Sequence, residues 1–157
     1  MRFCVVGAGA MGGVYGLSLI EAGYKVNFLD VNRDHVDVVK ENGFRLSGIG
    51  KQKVHKINIS DNENDFKNSA DVVLFHAHTT GTKSAALSAA IVLKPDGYAI
   101  TLQNGIGNVE ALLQVLGAKR VVGGISYHSA ALEDLGHVNH TNGGSTFIGE
   151  LDGSISS

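Results

Sequence analysis

Several residue types and sequence features are rare or absent in this chain, and some of these absences exclude a class of protein. It contains one cysteine, one proline and no tryptophan in 157 residues. A lone Cys4 cannot form an internal disulfide framework, which fits a reducing compartment. Lys and Arg number 13 against 15 Asp and Glu, with no basic run, and this argues against nucleic-acid binding. No apolar run approaches the roughly 20 residues of a membrane span, so we expect a soluble, cytoplasmic protein.

Glycine and apolar residues are what the chain has in quantity. It carries 21 glycines, and 43% of its residues are hydrophobic. That apolar content is enough for a packed core, so disorder is not expected. The length suits one domain, and we expect residues 1–157 to form a single unit.

Short apolar runs alternate with segments of helical spacing from residue 2 to about residue 116. Arg2–Val6 is typical of a buried strand, and Met11–Ala22 has helical spacing with Gly23 placed as a helix stop. This alternation predicts an α/β fold, a Rossmann-type doubly wound, mostly parallel sheet. We expect one or two edge strands within residues 44–60, a turn-rich segment at 134–144, and a late antiparallel extension over the last forty residues. Further strands are predicted in "KVNFLD", "ADVVLFHAH", "YAITLQNG", "RVVGGISYHSA" and "STFIGEL", and further helices in "HVDVVKEN", Lys83–Leu93 and "NVEALLQVLG".

The first predicted strand-to-helix turn reads "GAGAMG", a G-x-G-x-x-G motif. In this context the first glycine makes a tight turn, the second lets a pyrophosphate approach the backbone, and the third lets helix and strand pack closely. The helix N-terminus offers free N–H groups to phosphates. The predicted cofactor-binding residues of this loop are Gly7, Ala8, Gly9, Ala10, Met11 and Gly12.

Asp30 ends the second predicted strand, about 20 residues after the glycines. A carboxylate there can bind both ribose hydroxyls of NAD and repels the 2′-phosphate of NADP. Arg33 follows three residues later and could pair with that phosphate. The cofactor is therefore NADP or NAD, with NAD slightly favoured by Asp30.

Polar residues follow other predicted strands, where an open parallel sheet binds its ligands. His76 and His78 follow one strand, Asn104 follows the next, and His128 comes after a later strand. We expect them to meet in one crevice. A metal site is not expected, because no cysteine or carboxylate joins the histidines at a ligand spacing. A serine hydrolase is also excluded, since no G-x-S-x-G elbow is present.

Three segments together resemble the ketopantoate reductase (2-dehydropantoate 2-reductase) family: "GAGAMGGVYG", "QNGIGNVEAL" and "GGISYHSAALEDLGHVNHTNGGSTFIGE". The resemblance implies nicotinamide-dependent reduction of ketopantoate, a small 2-oxo acid, to pantoate on the route to pantothenate. By position it implies that Asn104 contacts substrate and nicotinamide, and that the Ala130 backbone lies against the cofactor. The alternatives are a related dehydrogenase of another 2-oxo or 3-hydroxy acid, and a non-enzymatic NAD(P)-binding sensor module.

The chain departs from the family pattern at two positions. The family usually has a lysine at the position of His78 and an arginine near the position of Asp30. We include His78 among the cofactor-binding candidates. The resemblance also implies a helical C-terminal domain that supplies a catalytic lysine, and we expect that domain to lie outside this chain. We therefore expect these 157 residues alone to bind cofactor, to be inactive, and to present an apolar face that could support a homo-oligomer.

Overall fold

Two sheets enclose one helix in the computed structural model, which describes residues 1–77, 81–103 and 107–153. The helices are α1 (Ala10–Glu21), α2 (Arg33–Asn42), α3 (Thr82–Val92) and α4 (Asn108–Leu116). The strands are β1 (Arg2–Val6), β2 (Lys25–Leu29), β3 (Phe44–Gly48), β4 (Lys53–His55), β5 (Asn58–Ser60), β6 (Ala70–Phe75), β7 (Leu93–Thr101), β8 (Val121–Ser126), β9 (Ser129–Asp134), β10 (His137–Asn142) and β11 (Thr146–Glu150).

The main sheet has seven strands in the order β11-β8-β7-β6-β1-β2-β5. Its strands pair in parallel from β5 to β8, and β11 pairs antiparallel with β8. The chain winds outward from β1 in both directions, which makes the sheet doubly wound and places a ligand crevice at the carboxyl ends beside β1. The predicted fold class, including its late antiparallel strand, is confirmed.

The central strands form because they are continuous apolar runs that can be buried on both faces. Four of the five β1 residues and five of the six β6 residues are buried. Cys4 lies in β1, where burial raises its thiol pKa to about 12. It is therefore an inert core residue.

A second, four-stranded sheet has the order β4-β3-β10-β9. Its centre is a parallel pairing of β3 with β10, in which Arg45 lies opposite His137. The edge strands predicted within residues 44–60 therefore belong to two different sheets. Strand β5 lies at the edge of the main sheet, and β3 and β4 form half of the second sheet. The prediction of a turn-rich segment at 134–144 is wrong, because most of these residues belong to β10.

Two other local predictions change in detail. "RVVGGISYHSA" is two strands, β8 and the start of β9, which belong to different sheets. The strand predicted in "YAITLQNG" begins earlier, because β7 starts at Leu93 and includes "KPDG" at a register shift, where the partners pass from Ala70↔Leu93 to Val72↔Tyr98. None of the helices in the described part of the chain is long and apolar enough to cross a membrane.

Helix α1 packs between the two sheets through glycines. A Cβ on Gly16 would lie 2.4 Å from the Phe28 ring, which belongs to the main sheet. A Cβ on Gly13 would lie 2.7 Å from Val138 and 2.8 Å from Phe44, which belong to the second. The two sheets therefore approach α1 closely from both sides and fix where its N-terminus points.

Candidate functional site

The glycine loop is tied to both strands that flank β1. The Gly7 N–H donates to the Leu29 carbonyl at 2.8 Å, and the His76 N–H donates to the Val6 carbonyl at 2.8 Å. Gly7 has φ +97°, and a Cβ there would lie 2.6 Å from the His76 carbonyl oxygen. A Cβ on Gly12 would lie 1.9 Å from the Gly7 carbonyl oxygen. Gly7 and Gly12 are therefore required by the packing of the loop itself.

Gly9 differs from both, because a Cβ there would meet nothing within 4 Å. It is the N-cap of α1, no side chain caps that end, and no acidic residue lies in the first turn. The first turn of a helix has N–H groups without intrahelical partners and the positive end of the helix dipole. The space above Gly9 is thus open, lined by donors and suited to an anion.

Asp30 stands beside this loop at the end of β2. Its Oδ2 accepts the Ala8 N–H at 2.7 Å, and its Oδ1 accepts the Asn32 N–H at 2.9 Å. An ionised carboxylate has about four lone-pair positions, so the oxygens can accept further hydrogen bonds from a ribose. Ala8 is fully buried and its amide is already engaged by Asp30, unlike the open position at Gly9.

Arg33 is the first residue of α2 and is engaged elsewhere. Its Nε lies 2.8 Å from Asp61 Oδ2, and its side chain is 83% exposed. A 2′-phosphate would have to compete with the Asp61 carboxylate for this guanidinium. The ion pair with Asp61 thus makes Arg33 less available to a 2′-phosphate, the group that Asp30 is predicted to repel.

Tyr15 gathers polar groups from several strand ends on the other side of the loop. Its ring stacks on His76, with centroids 5.3 Å apart, and meets the edge of His128 at 5.7 Å. Its hydroxyl hydrogen-bonds to Ser126 at 2.8 Å and Thr146 at 2.5 Å. Groups that follow β6 and β8 thus meet on α1.

Two histidines of this cluster, His76 and His140, have lowered pKa values. The Nε2 of His76 is enclosed, with no hydrogen-bond partner in the described ranges, and burial lowers the His76 pKa to about 4. His140 Nε2 lies 2.9 Å from His128 Nδ1. Burial and the neighbouring His128 lower the His140 pKa. His76 and His140 therefore favour the uncharged form of the imidazole.

The predicted cofactor contacts of all these residues remain predictions, and three further predicted residues have the following positions. His78 and Asn104 lie outside the described residues. Just before both of them, Gln103 Nε2 donates to the Ala77 carbonyl and links the ends of β7 and β6. Ala130 lies in β9 opposite His140 and packs against the core cluster that includes α1 residues.

The sequence patterns did not single out His35 or predict the contacts of Tyr15 with His76, His128 and Ser126. His35 is buried, and its Nδ1 accepts the Gly136 N–H at 3.1 Å. Its spacing of four from Val39 was the available signal, because residues i and i+4 share a helix face. His137 and His140, which lie in the segment predicted to be turn-rich, bond to Ser47 and His128. Over residues 1–77, 81–103 and 107–153 no three His, Cys, Asp or Glu side chains are grouped as a metal site.

The chain is similar to proteins of one family. A sequence profile described as ketopantoate reductase PanE/ApbA matches residues 3–153. A 2-dehydropantoate 2-reductase of Archaeoglobus fulgidus is 32% identical over 99% of this chain and 49% of its own length. The chain thus spans about half the length of that curated relative.

Solved structures share the fold. The 2-dehydropantoate 2-reductase of Geobacter metallireducens has a TM-score of 0.91 and 27% identity, covering 99% of this chain and 51% of that one. A D-mandelate dehydrogenase in a ternary structure with NADH and anilino(oxo)acetate has a TM-score of 0.89 and 26% identity, covering 96% of this chain and 48% of that one. The profile extends over nearly the whole chain, and the solved structures share its doubly wound sheet. The chain therefore belongs to the ketopantoate reductase PanE/ApbA family.

Proposed function

We propose that this chain is the nicotinamide-dinucleotide-binding portion of a 2-dehydropantoate 2-reductase, an oxidoreductase that converts ketopantoate to pantoate. Family membership supports the reaction. The observation that carries the binding role is the open, uncapped N-terminus of α1 at Gly9, beside the Asp30 carboxylate. Residues 1–157 would form the dinucleotide-binding domain of that enzyme.

The residues present fit such a cofactor. The Gly9 space and the α1 amides would hold the pyrophosphate, and Asp30 would accept hydrogen bonds from the adenosine ribose. Tyr15 contacts His76 and His128 on the other side of β1, where the nicotinamide half would lie. The bound cofactor supplies the hydride. Asn104 and Ala130 are proposed to contact its nicotinamide half, with His78 nearby, and a lysine of the family's C-terminal half to act as general acid.

NAD is the proposed cofactor, in preference to NADP. Asp30 already accepts two backbone N–H groups, which holds its charge at the position a 2′-phosphate would need. Arg33, the residue that could compensate, is paired with Asp61. The similar D-mandelate dehydrogenase was solved with NADH, which supports the same preference.

A second candidate is a dehydrogenase of another 2-oxo acid. The similarity to D-mandelate dehydrogenase favours it, since that structure carries anilino(oxo)acetate. Steady-state kinetics with ketopantoate and with aromatic 2-oxo acids would separate the two. Because residues 1–157 alone are expected to be inactive, the assay uses these residues together with the family's C-terminal half. We expect the highest kcat/KM with ketopantoate; a higher value with an aromatic 2-oxo acid would favour the second candidate.

Calorimetric titration of the purified protein with NADH and NADPH tests the binding role. We expect NADH to bind more tightly, and Gly9→Val to keep the native Tm while losing binding, because its side chain would enter the pyrophosphate space. Gly149→Val is the matched control, as a Cβ there also meets nothing within 4 Å and Gly149 lies in β11. Failure of the native protein to bind either nucleotide, or native binding by Gly9→Val, would contradict the proposal.

A further inference from the structure

A run of hydrogen bonds joins the Asp30 carboxylate to the second sheet through α2. Asp30 Oδ1 accepts the Asn32 N–H at 2.9 Å, and Asn32 Oδ1 accepts the His35 N–H at 3.2 Å. His35 Nδ1 then accepts the Gly136 N–H at 3.1 Å. Gly136 lies in the turn between β9 and β10, so a strand connection of the second sheet is coupled to the residue that faces the ribose.

His35 is placed to carry this connection in one protonation state. Because Nδ1 accepts from Gly136, the neutral ring carries its proton on Nε2. The residue is 2% exposed, and its ring packs edge-on against Phe44 with centroids 5.3 Å apart. Burial lowers its pKa, while the charge of Asp30 and the backbone of Ala8 act in the opposite direction. A neutral His35 therefore stands between the second sheet and the unit formed by Asp30 and the glycine loop.

We propose that His35 is a positioning residue for the adenosine half of the cofactor. It holds the first turn of α2 against the β9–β10 turn, and this keeps the Asp30 carboxylate oriented toward the ribose hydroxyls. The inference rests on the proposed function, since it assumes that Asp30 faces the adenosine ribose. This role would give the second sheet a part in cofactor selection through the β9–β10 turn.

The test compares three variants by calorimetry with NADH, NADPH and ADP-ribose. His35→Phe keeps a ring beside Phe44 but removes both nitrogens. We expect it to weaken NADH and ADP-ribose binding about three- to tenfold, the range of coupling through such networks, and to reduce the preference for NADH over NADPH. His35→Asn places an amide oxygen near the Nδ1 position and should recover part of the loss. Val39→Ala, on the same face of α2, should lower Tm and leave the nucleotide preference unchanged.

The outcomes separate the inference from the proposed function. If the native protein binds neither nucleotide, the proposed function fails and the inference falls with it. If the native protein binds NADH and His35→Phe binds with native affinity and preference, the inference alone is wrong. It is also wrong if Val39→Ala erodes the preference as much as His35→Phe does. If His35→Phe does not fold, the test is hydrogen exchange of the Gly136 amide in the native protein, with and without NADH. Coupling between Gly136 and the nucleotide site requires NADH to slow this exchange. An unchanged exchange rate would show that the inference is wrong.

Discussion

The two sheets pack on opposite sides of α1 but are built differently. The central strands of the main sheet are almost wholly buried, as β1 and β6 show. In the second sheet only Phe44 and Val138 are fully buried, and β4 is mostly exposed. The main sheet therefore supplies most of the buried strand residues and the proposed ligand-binding edge, whereas the second sheet packs against α1, whose N-terminus is the proposed phosphate site. The difference teaches that a largely exposed sheet can still fix the position of a helix on which a proposed site depends.

The largest expected effect is on the main-sheet side of α1. Gly12→Ala places a methyl group 1.9 Å from the Gly7 carbonyl oxygen, and backbone cannot rotate away as a side chain can. We expect it to lower the free energy of unfolding by about 3 kcal/mol or more, measured by urea denaturation. A variant with native stability would show that α1 does not need this close approach.

Lowering the pH tests how the burial of His76, which follows β6 of the main sheet, affects the free energy of unfolding. An unfolded histidine has a pKa near 6.5, and folded His76 has one of about 4. Between these values the unfolded chain binds more protons, so stability rises with pH and is lost as pH falls from about 6.5 towards about 4. One such group contributes a slope of at most about 1.4 kcal/mol per pH unit.

The measurement is the free energy of unfolding across that pH range for the native protein and for His76→Gln. We expect a shallower slope in the variant. A residual slope is expected, because burial also lowers the pKa of His35 and His140 at the second sheet. Identical slopes would refute the contribution of His76.

A smaller effect is expected on the second-sheet side of α1. Gly13→Ala brings a methyl group to 2.7 Å from Val138 and 2.8 Å from Phe44, which are side chains and can shift. The crowding is offset by alanine's helix propensity advantage of about 1 kcal/mol, so we expect a net loss of roughly 1 kcal/mol. In a double-mutant cycle, Val138→Ala should relieve the crowding. A loss equal to that of Gly12→Ala would remove the distinction between the two sheets.

The smallest effect is expected at the rim of the second sheet. Lys53 in β4 lies 2.8 Å from Glu21, the last residue of α1, and its side chain is 53% exposed. Lys53→Ala should cost less than about 1 kcal/mol, and the loss should shrink in high salt. Lys51→Ala, in the neighbouring turn, is the control. Salt-independent destabilisation of Lys53→Ala would indicate that the pair acts through packing.

Local signals determined much of the main sheet in advance. The strands β1, β2 and β6 are apolar runs, and Gly23 and Gly43 follow helical segments, so neighbouring residues alone were enough to predict them. The G-x-G-x-x-G spacing likewise predicted which glycines the loop needs for turning and packing. Family membership could also be inferred from short segments, because they carry side chains and glycines that few other folds require together.

Only the tertiary structure decided the second sheet and the contacts it makes. Residues 45–48 pair with residues 137–140 across about ninety positions, and short half-exposed strands carry too weak an alternation to predict their partner. The only sequence signal for His35 is its spacing of four from Val39, which predicts a shared helix face and no partner. Its hydrogen bond depends on the Gly136 amide, which that distant pairing brings close. The sequence by itself thus determined the sheet and the loop that form from adjacent residues. The arrangement of His35, Tyr15 and His128 required the folded chain, because non-local pairing alone brings their partners into contact.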